Sequence, residues 1–220
     1  MAFTIDGTTG IATVDGSVSA PSQRGQDSNS GISYGANFIK FSTDGVERMS
    51  ITNSGVTGVS GGKILQVKQS IKTTTQSFST GSSTLADSYF DITGLSVTLT
   101  PASGTTCFVS YTVNVGGQAG YGQGLALFRD STQIFQGAAD GNTIRLSNFD
   151  YTVDNKKIDS MAGQFLDTHG ANGSTAVTYK LQMYVAEPGW TTRVNRSQST
   201  ANDRDYGRGA SSITVMEIAA

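Results

Sequence analysis

Residues 107–115 read "CFVSYTVNV". Cys107, Val109, Tyr111, Val113 and Val115 fall on one side of an extended chain, and Ser110, Thr112 and Asn114 on the other. A period of two is the mark of a half-buried strand. "YKLQMYVA" repeats it, with Tyr179, Leu181, Met183 and Val185 against Lys180, Gln182 and Tyr184. "LSVTLT" does so again through Leu95, Val97 and Leu99. Further strands are expected at 63–70, 86–92, 125–130, 132–137, 160–167, 193–197 and 211–219. Turn signals separate them: "ITG" (92–94), "PASG" (101–104), "RDST" (129–132), "DGN" (140–142), "GANGS" (170–174) and "EPGW" (187–190). Eight or more strands at this spacing predict a jelly-roll-like β-sandwich over residues 63–220. "GGQAGYGQG" (116–124) lacks the Lys and the following helix of a phosphate-binding loop and reads as a mobile turn.

Composition agrees. The 27 glycines with only 3 prolines among 220 residues fit short strands and tight turns. A net charge of −2 provides no basic excess to neutralise a phosphate backbone, so no nucleic-acid partner is expected. The single cysteine, Cys107, excludes an intrachain disulfide and sits where a strand buries a small hydrophobe. "MAFTIDGTTG" has neither a basic start nor an apolar core, so no signal peptide is expected, and no window approaches a membrane span. The reading is a soluble chain made in a cytoplasm.

Residues 1–62 differ. Apolar residues come in twos and threes ("FTI", "FIKF", "MSI") between recurring glycines. Ordering a backbone costs about 1–2 kcal/mol per residue, and such short strands bury too little to offset it alone. Their alternation predicts an intertwined β-stalk, in which three chains share a thin core. Ile32, Phe38, Phe41, Val46, Met49 and Ile51 are the core candidates, with inward and outward positions unassigned.

At these residues a resemblance appears. "DSNSGISYGANFIKFSTDGVERMSITNSGVTG" (27–58) resembles a repeat of bacteriophage tail-fibre and other fibrous virion proteins. The matching positions are Asp27, Asn29, Ser30, Gly31, Ile32, Phe38, Ile39, Phe41, Gly45, Glu47, Arg48, Met49, Ile51 and Gly55. The remainder resembles a module of marine-phage structural proteins. It matches at Lys63 to Val67, "DITGLSVTLTPASG" (91–104), "LFRDSTQIFQG" (127–137), Val194 to Arg196, Tyr206 with Arg208, and Ser211 to Ile218. The resemblance implies a virion protein, not an enzyme: a homotrimer with a sandwich head on a short stalk. It implies contact with tail or capsid proteins through the N-terminal segment. It leaves open a host-adhesion fibre or spike and a capsid decoration protein. Typical tail fibres are much longer than this chain.

Residues able to carry chemistry are few. His169 is the only histidine, with no second ligand nearby in sequence. No GxSxG is present. Asp150, Asp154, Asp159, Asp167, Asp203 and Asp205 are scattered, and "DSNSG" and "NDRD" lack EF-hand spacing, so no catalytic residue, metal or cofactor is expected. Glu47 and Arg48 read as stalk ion-pair or register residues. Arg196, Tyr206 and Arg208 read as structural. Trp190 follows a turn and either packs on the sandwich end or offers a ring face to a sugar or a protein pocket. With Tyr121 and Arg193 it forms the candidate site for a host-surface glycan or protein.

Overall fold

The computed structural model describes residues 17–21, 23–24, 28–58, 63–81, 89–199 and 204–219. The attachment segment before residue 17, Asp27, Gly61, Gly62, Asp203 and the start of the 86–92 strand lie outside the described residues. The fold is all-β, with no helix among the described residues. The chain divides into two compact units, Met1–Lys63 and Ile64–Ala220.

The first unit is one antiparallel meander. Strands β1 (Gln23–Arg24), β2 (Gly31–Gly35), β3 (Phe38–Thr43), β4 (Val46–Thr52) and β5 (Gly55–Thr57) pair in chain order. Two residues, Asp44 and Gly45, join β3 to β4. Both have positive φ, 53° and 70°, as a tight hairpin turn requires. Each of the five strands pairs with its chain neighbour, and β1 and β5 are the edges of the sheet.

The second unit is a β-sandwich. Its strands are β6 (Ile64–Lys72), β7 (Gln76–Ser79), β8 (Tyr89–Leu99), β9 (Thr106–Gly116), β10 (Tyr121–Arg129), β11 (Thr132–Ile134), β12 (Asn148–Thr152), β13 (Asp159–Asp167), β14 (Val177–Val185), β15 (Thr191–Val194) and β16 (Ser211–Ile218). One sheet runs β11-β10-β14-β8, with β12 beside β10. The other runs β6-β16-β9-β15-β7, with β13 beside β9. The alternating residues of 107–115 behave as their pattern demands: Cys107, Val109, Val113 and Val115 are fully buried. They meet Leu95, Leu125, Leu127, Leu181, Met183 and Ile213 between the sheets.

Several expectations need correction. "ITG" is not a turn between strands. β8 runs through it as a bulge, with Gly94 at φ 84° and the register to β14 shifting between Lys180 and Gln182. Ser70 and Lys72 hold the bulge by donating to the carbonyls of Gly94 (2.6 Å) and Thr93 (3.0 Å). The Gly-rich stretch is only partly a turn: Tyr121 to Gly124 belong to β10. Gly122 and Gly124 are glycines because the Phe149 ring and the Leu146 side chain occupy the space a Cβ would need. Tyr184 lies on the polar side of β14, yet it is buried, because Tyr89 packs on it at 5.6 Å between ring centres. β7 and β12 were not expected; "QSFS" and "NFDYT" are too short and too polar to announce themselves.

Gly116 ends β9 where a methyl group would strike the Arg196 carbonyl oxygen and come within 2.8 Å of the Ser197 Cα. Gly116→Ala should destabilise the sandwich by roughly 1–3 kcal/mol in a denaturant titration, because backbone must shift to admit the group. Gly137 has open space around it, and Gly137→Ala should change stability by less than about 0.5 kcal/mol.

Candidate functional site

The first unit has two unlike faces. Residues directly opposed across antiparallel strands point to the same side. The registers Gln23↔Ile32↔Phe41↔Met49 and Tyr34↔Ile39↔Ile51↔Val56 therefore make one largely apolar face, with Gln23 at its β1 edge accepting from the Tyr34 hydroxyl at 3.3 Å. Ile51 and Val56 on it are 40% and 45% exposed. The rows Ser33↔Lys40↔Ser50↔Thr57 and Gly35↔Phe38↔Thr52 make the other face, on which Ser33 and Ser50 are buried (0% and 3% exposed). Of the stalk candidates, Ile32, Phe41, Met49 and Ile51 are thus brought together and joined by Tyr34, Ile39 and Val56. These three lie outside the core set expected from the sequence, although each sits two residues from a member of it or directly across from one.

Phe38 and Glu47 are on the opposite side. The β4 register shifts beside Arg48, so Glu47 opposes Ser42. It pairs with Lys40 at 2.9 Å. Arg48 donates from Nε to Thr43 Oγ1 at 2.6 Å. Both residues serve contacts within the chain.

In the second unit, Tyr121 opens β10 and Trp190 immediately precedes β15, so the two rings come from different sheets. They stack with centres 3.8 Å apart and planes inclined by 24°. The positions are fixed from behind. Gly189, at φ 80°, donates its N–H to the Thr80 carbonyl at 3.0 Å. Gly120 donates to the Thr152 carbonyl at 2.7 Å. Both rings remain half-exposed. The stack is therefore packing at the sandwich end and a partly open aromatic surface at once. Arg193 works elsewhere: it donates from Nε to Gln198 Oε1 (2.8 Å) and from Nη1 to Ser77 Oγ (2.7 Å), holding β15 to β7. Arg196 and Arg208 form an antiparallel bridge. Burial, then the nearby charges of Arg193 and Arg208, lower the Arg196 pKa.

Two buried polar clusters account for other titratable groups. His169 is 9% exposed, not a free loop residue. The Ala171 N–H donates to its Nδ1 at 2.9 Å. Its proton is therefore on Nε2, 3.2 Å from Thr105 Oγ1. A ring that donates to the hydroxyl cannot take a proton from it, so this arrangement does not activate Thr105 as a nucleophile. Glu217 receives Gln66 Nε2 (2.6 Å), the Ala102 N–H (2.7 Å) and the Thr105 hydroxyl (2.9 Å). Burial pushes its carboxyl up, but these donors outweigh burial and leave the pKa lowered. At the same end of the sandwich, Arg129 Nη1 grips both oxygens of Asp167 at 2.8 and 2.9 Å, and the Tyr179 hydroxyl donates to Asp167 at 2.7 Å. Burial raises the pKa of Tyr179 and of Cys107 beside it, so neither ionises near neutral pH. The cluster ties β10 and β14 to β13 across the core.

No protein-family model matches this chain, and no curated protein matches it.

Two outcomes are expected. Trp190 is the only tryptophan, so Tyr121→Ala should red-shift its emission by exposing the ring. The lowered Glu217 pKa contributes stability that is fully present above the ordinary carboxylate value of 4.5 and is lost as pH falls through the depressed folded-state value. Glu217→Gln should therefore flatten the acid limb of a stability-against-pH curve below about pH 4.5.

Proposed function

We propose that this chain is a non-enzymatic structural subunit of a bacteriophage virion, a homotrimeric fibre or spike. In this reading the first unit is the stalk and the second is the head that contacts a host-surface glycan or protein. The observation that carries the reading is the one-sided apolar sheet of the first unit. Among the described residues no second layer of strands covers this face, and a surface of Ile, Phe, Met, Tyr and Val is a seam for other copies. Each buried apolar side chain there contributes about 1.5–3 kcal/mol when water is removed from it. In this reading the copies meet through the side chains of this face. Resemblance to fibrous phage proteins at 27–58 and 63–220 supports the same reading.

Three heads on one stalk gain avidity, so a weak single site on each suffices for adhesion. The Tyr121–Trp190 stack offers a sugar ring an aromatic surface, and Arg193 supports β15 beneath Trp190 without being a ligand contact in this reading. The N-terminal segment joins the fibre to another virion protein.

Antibody against residues 64–220, located on intact virions by electron microscopy, tests the placement. Label at the tail, with fluorescent protein staining host cells at micromolar concentration, is the expected result. Label spread over the capsid, without staining, would replace adhesion by decoration of the capsid. No label on the virion would overturn the reading. Met49→Asp puts a carboxylate into the shared seam, where an unpaired charge costs several kcal/mol. It should weaken assembly at least tenfold in sedimentation while the sandwich keeps its cooperative unfolding.

A further inference from the structure

The β6-β16-β9-β13 layer has an outward surface unlike the rest of the head. Val67, Met216, Phe108 and Leu166 stand directly opposite one another across the four strands. They form one apolar row, and its ends are 53% exposed at Val67 and 55% at Leu166. Beside Val67 along the edge strand, Leu65 is 43% exposed and Ile71 61%. The next row is Gln69, Thr214, Ser110 and Gln164, again in register. These are amides and hydroxyls, which both donate and accept. No outward position of these four strands carries a charge: the charged residues of the layer, Lys68, Lys72, Asp159, Asp167 and Glu217, alternate to the other side. Lys68 turns inward to donate to the Thr98 carbonyl at 2.9 Å. The second sheet is different, since its outer surface carries the Asp91–Lys180 pair at 2.9 Å.

We infer that this uncharged face is a contact between copies of the chain in the head, separate from the stalk seam. A charged partner, whether nucleic acid, anionic lipid or an acidic glycan, would lose hydration here and gain no counter-charge. A second copy brings its own uncharged surface and desolvates no ion. The area is sufficient. Four strands at about 4.8 Å spacing and nine residues at about 3.3 Å rise cover roughly 600 Å². Counted on both copies, that passes the roughly 1,000 Å² a specific interface needs. Relief favours it too: between β9 and β13 lies a shallow depression of about 320 Å³. Ser110, Thr112, Ala162 and Gln164 line it, and it can seat an apolar side chain from the neighbouring copy. The inference uses copies of the chain, as the fibre reading does, but is independent of adhesion.

The test uses a thiol in the full chain. Cys107 is fully buried, so Thr214→Cys places the single accessible thiol in the middle of the face. Ser103→Cys, in an exposed turn, is the control. At micromolar concentration a bulky maleimide should label Cys at 214 at least tenfold more slowly than Cys at 103. Adding Leu166→Lys, an exposed edge substitution two strands away, should restore the control rate with unfolding unchanged. Labelling of position 214 at the control rate in a chain whose solution mass is a multiple of one copy would overturn this contact and leave the stalk seam standing. Control-rate labelling with the mass of a single copy would overturn both. Slow labelling that Leu166→Lys does not relieve would show local shielding and overturn the contact.

Discussion

The first unit of this chain is an antiparallel sheet whose serine-bearing face buries Ser33, Ser42 and Ser50, while the other face is largely apolar and partly open to water. Ile32, Tyr34, Ile39, Phe41, Met49, Ile51 and Val56 are brought to one side by register alone, and no opposing layer of strands covers them among the described residues. Water-exposed apolar surface of this kind is stable when another surface covers it. Copies of the same chain are the cover that asks least of the sequence, because one surface then serves every contact.

The second unit answers the same problem internally. Its two sheets bury each other's alternating residues, and two interior carboxylates are held by several donors: Asp167 between Arg129 and Tyr179 of the facing sheet, Glu217 among Gln66, Thr105 and the Ala102 N–H. A buried carboxylate with several donors keeps its charge and fixes the segments that supply them. These clusters sit at the sandwich ends, where the sheets need joining, and their hydrogen bonds account for them as structure. The Tyr121–Trp190 stack does the same work at the rim, and its half-exposed rings leave a surface that a ligand can use.

Sequence pattern carried the sandwich further than it carried the sites. CFVSYTVNV and YKLQMYVA were legible because period-two burial depends only on neighbours along the chain. The bulge at Ile92–Gly94 was not, since a glycine at positive φ is compatible with a turn or with a strand that bends, and side chains of β6 decide which. Gly122 and Gly124 looked like loop residues because Phe149 and Leu146, which cover them, are more than twenty residues away. In the first unit, a one-residue shift beside Arg48 turned Glu47 to the side of Lys40, and no local pattern announces a bulge. Arg193 looked like a ligand contact from its place after Trp190, but its partners Ser77 and Gln198 come from pairing that the sequence does not display.

The central claim is that the apolar face of the first unit is covered by other copies of the chain. The most direct measurement is the solution mass of the full-length protein by light scattering across nanomolar to micromolar concentration. The account predicts three times the 23.0 kDa of one chain at micromolar concentration. A stable 23.0 kDa species over the whole range would leave that face with no copy to cover it and would contradict the account.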